Sequence, residues 1–139
     1  MNFQTSLILT HQASLSMLQA AVNKAEDIGQ PQCIVIVDAS GELLAEIKMT
    51  GAKFLSRKSA LSKALTAASI RGPSSNIPEG VRPAIGAATG GNVTGLSGGL
   101  PIIKDGQCVG GIGVGSGSPE QDIAVALAAL EAVGAQVKF

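Results

Sequence analysis

The chain has 139 residues; 45% are hydrophobic, 14% charged and 2% aromatic, and ten basic residues balance ten acidic ones. That length is one domain's worth and buries roughly two thirds of the unfolded surface, so neither a disulfide nor a metal is needed to hold it together. The charge balance and the absence of Trp and Tyr exclude a nucleic-acid surface, and the apolar content excludes disorder.

The N-terminal residues 1–9 carry no basic residue and only a three-residue apolar stretch, which predicts no signal peptide. No apolar run approaches the roughly 20 residues of a membrane span, so a cytoplasmic protein without membrane contact is expected. The mean hydropathy of +0.35 with zero net charge then predicts apolar surface buried between copies, that is, a homo-oligomer.

Residues 5–9 read as a short strand or an arm. Thr10 is the expected N-cap of a first helix, in which Leu15, Leu18, Val22, Ala25 and Ile28 recur at helical spacing until Gly29 and Pro31 stop it. Cys33 to Val37 is a β-branched run suited to a buried strand. Asp38 to Gly41 makes a turn, and Leu43 to Met49 returns as a second strand. A second helix is expected from about Phe54 to Ser69, with Ser56, Ser59, Lys63 and Thr66 forming a polar stripe. That stripe suits either a solvated face or a site where Lys63 meets a carboxylate ligand.

The segment from Gly72 to Gly98 is rich in Gly, Pro, Ser and Asn, with a short helix expected around Glu79 to Ala88. Leu100 to Ile103 and Gln107 to Val114 form a second hairpin about the Asp105-Gly106 turn. A last helix runs from about Pro119 to Val133, with Ser118 as N-cap and Gln121 completing a capping box. Asp122 sits in its first turn, where the helix dipole favours a carboxylate. The order predicts an α+β fold over residues 1–139: one antiparallel sheet with helices packed on it.

Few residues carry chemistry. His11 is the lone histidine and a candidate axial haem ligand; with no second His and no paired Cys, no metal site is expected. Cys33 and Cys108 have no metal spacing and read as small buried strand residues. Gly113, Gly115, Ser116 and Gly117 fail the dinucleotide fingerprint, because Ser118 stands where its third glycine belongs. Glycines ahead of a helix N-terminus suit an anion or carboxylate; equally, they let a strand pass close to a neighbour. Asp38 and Lys63 are the candidate acid–base pair for proton transfer on a small organic acid, although an Asp before Ser-Gly more often just makes a turn.

Together, Gly98 to Gly106, Val109 to Gly117, Glu120-Gln-Asp122, Val37 to Gly41, Lys48 to Ala52, and Ser59 with Lys63-Ala64 and Thr66-Ala67 resemble the GlcG/HbpS family, which also supplies the C-terminal domain of PduO-type proteins. The resemblance runs from about Leu9 to Leu130. It implies a profilin-like fold, often assembled into dimers up to octamers, and that some relatives bind haem while others, encoded with catabolic genes, have no settled activity; haem or a related tetrapyrrole, bound for storage, sensing or degradation, is the expected ligand. A binding protein or an enzyme for a small organic acid in a catabolic pathway is the alternative. Two departures weaken transferred ligand chemistry: Lys48-Met49-Thr50 stands where the family has Arg-Met-Asp, and Gly113-Val-Gly-Ser-Gly117 where it has Gly-Val-Ser-Gly-Gly.

Overall fold

Alternation along the central strand sets the layers. In the computed structural model, which describes residues 1–139, β1 (Cys33–Asp38) buries both of its faces. Ile34 and Ile36 join one apolar cluster, while Cys33, Val35 and Val37 join another. A strand covered on both sides reads as a continuous apolar run, which is why residues 33–37 show no polar alternation. The sheet is antiparallel throughout, in the order β2-β1-β4-β3, with β2 at Leu43–Lys48, β3 at Gly99–Lys104 and β4 at Gln107–Gly115.

On one face lie α1 (His11–Asp27) and α4 (Pro119–Ala132). Met17, Ala21 and Ala25 from α1 and Val125, Ala126, Ala129 and Leu130 from α4 meet Ile34, Ile36, Ile112 and Val114 of the sheet. Thr10 caps α1 by accepting the Ala13 N–H, and Ser118 and Gln121 cap α4 reciprocally, as the sequence predicts. The other face carries α2 (Ser56–Ile70), which starts two residues later than expected. The fold is thus α+β in one domain, an antiparallel sheet between helices. Residues 5–9 form an arm without regular structure. No helix is long and apolar enough to cross a membrane.

The glycines of β4 are explained by α2. A Cβ on Gly111 would overlap Ala64 O, and one on Gly113 would overlap Ala60 O. Ala60, Ala64 and Ala68 supply the matching small side chains. Side-chain-free strand positions against an alanine face bring the helix backbone onto the sheet. The Asp105-Gly106 turn has both residues at positive φ (49° and 74°), the geometry a two-residue hairpin requires.

The stretch from Gly72 to Gly98 folds into two single turns of 3-10 helix and α3 (Arg82–Ala88). Side chains pin it from both ends. Arg82 donates to Ile77 O at 2.8 Å and to Ser75 O at 3.1 Å. On α2, Ser62 donates to Gly91 O at 2.7 Å, and Thr66 accepts the Thr94 N–H at 3.0 Å. The polar stripe of α2 is therefore not a solvated face: Thr66 and Lys63 are buried. Of the two cysteines, Cys33 is buried as expected, but Cys108 is only half-buried because it stands near the open end of β4.

Gly113→Ala should cost the fold at least the ~1–3 kcal/mol of an overpacked core, because its methyl group meets backbone rather than a movable side chain. Gly80→Ala, where a Cβ meets nothing within 4 Å, should stay within about 0.5 kcal/mol. Urea denaturation of the two variants makes the comparison.

Candidate functional site

The sheet ends where its chemistry begins. In β4, Val114 donates its N–H to Gly98 O at 3.0 Å, so its carbonyl faces the side on which β3 runs out at Gly99. Lys63 reaches across from α2 and takes that carbonyl, Nζ to Val114 O at 2.8 Å. The same ammonium lies 3.2 Å from Asp122 Oδ2 on α4. Asp122 Oδ1 accepts the Gly117 N–H at 3.0 Å. The ion pair thus passes around the end of β3 and ties the two helical layers together. Lys63 is 5% exposed and Asp122 3%.

Two glycines fit the cluster. A Cβ on Gly98 would stand 2.6 Å from Val114 O and 3.0 Å from Lys63 Nζ. One on Gly117 would stand 2.8 Å from Gln32 Nε2 and 2.9 Å from Asp122 Oδ1. Gln32 is fully buried, and neither its Nε2 nor its Oε1 has a hydrogen-bond partner. A buried amide left unsatisfied costs about 1–3 kcal/mol per group.

Burial pushes the Asp122 carboxyl above the usual carboxylate range. Lys63 pulls hardest in the other direction, followed by the Gln32 amide and the Gly117 N–H, but desolvation wins. Gln32 acts here by proximity, outside hydrogen-bonding geometry.

The pair is the floor of a cavity of about 320 Å³, walled by Lys53, Ser56, Ser97, Ser116, Gly117 and Pro119. Ser116 holds a positive φ of 103°, a region costly for any side chain. It is fixed there because its Oγ accepts the Lys53 N–H at 3.1 Å and its carbonyl accepts from Gln30 Nε2 at 3.3 Å.

Of the residues singled out from sequence, Lys63, Ser116 and Gly117 come together here. Gly113 and Gly115 do not line the cavity; their Cα atoms face α2. The backbone donors ahead of α4 are mostly engaged: Gly117 N–H by Asp122, Ser118 N–H by Gln121 Oε1, and Gln121 N–H by Ser118 Oγ. Asp38 stands apart in the β1–β2 turn, where its Oδ1 accepts the Ser40 and Glu42 N–H groups at 2.8 and 3.0 Å. It is a turn-former and does not approach Lys63.

His11 lies at the far end of α4. It is exposed at the start of α1, and its imidazole makes no hydrogen bond. Its neighbours Thr10 and Ala13 line an apolar cleft of about 190 Å³ with Leu7, Ile8, Val109 and Val133, and Lys104 stands at the edge.

Asp122 is the residue that sequence reasoning passed over, being read only as a partner of the helix dipole. The signal was present: Asp122 precedes Val125 and Ala126 by three and four positions, on the apolar face of α4. A carboxylate on a buried stripe demands a buried cation. Gln32, just before β1, left no such mark.

Removing one partner strands the other. Asp122→Ala should cost about 3–5 kcal/mol, whereas the double change Lys63→Met with Asp122→Leu should recover most of it, read by urea denaturation. The ordinary carboxyl value is 3.8, and the folded-state value lies above it. Protonation of this group therefore favours the fold: its contribution is full below the unfolded value and is lost as pH rises through the folded one. The 13C titration of the Asp122 carboxyl should show a midpoint above 3.8, and a higher one still in Lys63→Met, which loses the main opposing pull.

Comparison with known proteins agrees with this architecture. A family model described as "Haem degrading protein HbpS-like" matches residues 9–131. The chain is 31% identical over 137 residues to the corrinoid adenosyltransferase PduO of Citrobacter freundii, covering 94% of this chain but only 40% of that protein's length. A solved structure of a PduOC:heme complex superposes with a TM-score of 0.87 at 28% identity, covering 96% of this chain and all of that one. The crystal structure of HbpS superposes with a TM-score of 0.84 at 30% identity, covering 96% and 95%. With most of its length matched in sequence and in fold, the chain belongs to the HbpS-like family.

Proposed function

We propose that this chain binds haem or a related tetrapyrrole as part of a homo-oligomer, in the storage, sensing or degradation of haem. The observation that carries the reading is His11: an exposed imidazole free of hydrogen bonds, with exposed apolar side chains close by. Leu15, one helical turn on, is 62% exposed, and Ile8 is 81% exposed. Family membership and the PduOC:heme complex among its structural relatives support the same ligand class.

The residues present suit such a group. An imidazole nitrogen is an axial ligand for haem iron. Leu7, Ile8 and Leu15 offer apolar contact to a porphyrin face, and Lys104 offers a cation to a propionate. Haem held there supplies a redox-active iron. The chain's part is to ligate it, cover one face and neutralise a carboxylate.

The cleft beside His11, about 190 Å³, is smaller than the roughly 300–1,000 Å³ that encloses a drug-sized ligand. A tetrapyrrole would lie across its mouth and need a second surface. A neighbouring copy provides one, and the exposed Phe3, Leu7, Ile8 and Leu15 provide a reason for copies to associate. The reading places the protein in the cytoplasm.

Hemin titration followed through the Soret band tests this. The expected result is a sharp, saturating spectrum at a fixed ratio of haem to chain, in a sample whose light scattering gives a mass of several chains. His11→Ala should lose the saturating shift. A broad, non-saturating change in the unaltered protein, or an unchanged spectrum in the variant, would remove His11 from the account.

A further inference from the structure

We propose that the cavity over Lys63 and Asp122 is a second binding site, for a small organic monoanion carrying a carboxylate and a second oxygen acceptor. It lies at the N-terminal end of α4, whereas Val133, just past the other end of that helix, lines the cleft beside His11. The two sites are therefore some 20 Å apart by helix length, and neither reading rests on the other.

The lining selects the class of guest. The hydroxyls of Ser56 and Ser97 make no side-chain donation within the chain, the Ser116 hydroxyl stands beside the Cys33 thiol and accepts the Lys53 N–H, and the Lys53 ammonium has no partner. Lys63 has three N–H donors and spends two, on Val114 O and Asp122 Oδ2. Both oxygens of Asp122 are already accepting, from Lys63 and from Gly117. The cavity wall thus presents unspent side-chain donors and few free acceptors, so its guest must be an acceptor.

Charge points the same way. Two lysines and one carboxylate line the cavity, a balance of one positive charge, which a monoanion neutralises. Size limits the guest to a few heavy atoms, since much of the roughly 320 Å³ opens to solvent.

Behind Gly117, Gln32 is wholly buried, and its Nε2 faces the same point as Asp122 Oδ1, so the polar cluster continues beneath the cavity. On binding, the carboxylate meets Lys53 and the Ser116 hydroxyl at the rim. The second oxygen takes the third N–H of Lys63, and no covalent step is involved.

The test is an amide 1H–15N titration of the full chain with pyruvate and with lactate, against lactamide and sodium chloride at matched concentration. The two anions should give saturable shifts at Lys53, Ser97, Ser116 and Gly117, and the neutral amide and the salt should not. Lys53→Gln, an exposed change that leaves the buried pair intact, should weaken binding by about tenfold, the size of one charge-assisted hydrogen bond. Equal shifts with lactamide, no saturable shift well above about 1 mM, or unchanged affinity in Lys53→Gln would each overturn the proposal.

Discussion

The structure depends on how closely α2 approaches β4. With no side chains at Gly111 and Gly113, and only methyl groups at Ala60 and Ala64, the helix backbone rests on the strand. That approach sets the depth of everything α2 carries. Lys63 leaves the helix so close to the sheet that its amine reaches Val114 O and passes the end of β3 to Asp122. A larger residue at 111 or 113 would lift α2, and the ammonium would no longer span the gap. The packing of small residues and the placement of the buried charge are one constraint seen from two sides.

This explains what was legible in the sequence and what was not. Helix caps, the Asp105-Gly106 turn and the doubly buried run of β1 are local signals, and the elements they mark lie where the residues say. The glycine run at 110–117 was ambiguous because one residue type serves two ends. Gly111 and Gly113 serve close packing, whereas Gly117 gives room to Asp122 and Gln32. Periodicity cannot separate these uses, since they differ only in what lies opposite. The stripe on α2 was equally ambiguous: Thr66, with Ser62 beside it, pins the irregular segment, whereas Ser56 and Lys63 face the cavity. The carboxylate that Lys63 meets is not a ligand's but that of Asp122, 59 residues away in the same chain, a pairing no local pattern encodes.

A buried ion pair is not itself an argument for stability. Desolvating two charges costs several kcal/mol each, and apolar residues of similar volume often hold a fold equally well. Here desolvation outweighs the pull of Lys63 on the Asp122 carboxyl. What the pair does that leucines could not is directional. It ends the β3 side of the sheet with a charged group, fixes the first turn of α4 through Gly117, and leaves one N–H facing a cavity.

The two ends of α4 therefore differ in kind. At Asp122 the chemistry is polar, enclosed and assembled wholly from one chain. At His11 it is apolar, open and incomplete, with an imidazole on a surface whose leucine, isoleucine and phenylalanine side chains remain in water. The walls of the first are supplied by a single chain. Within one fold, a polar cavity that owes its shape to internal packing stands apart from an exposed apolar surface, and α4 carries its capping box at the one end and meets the apolar arm at the other.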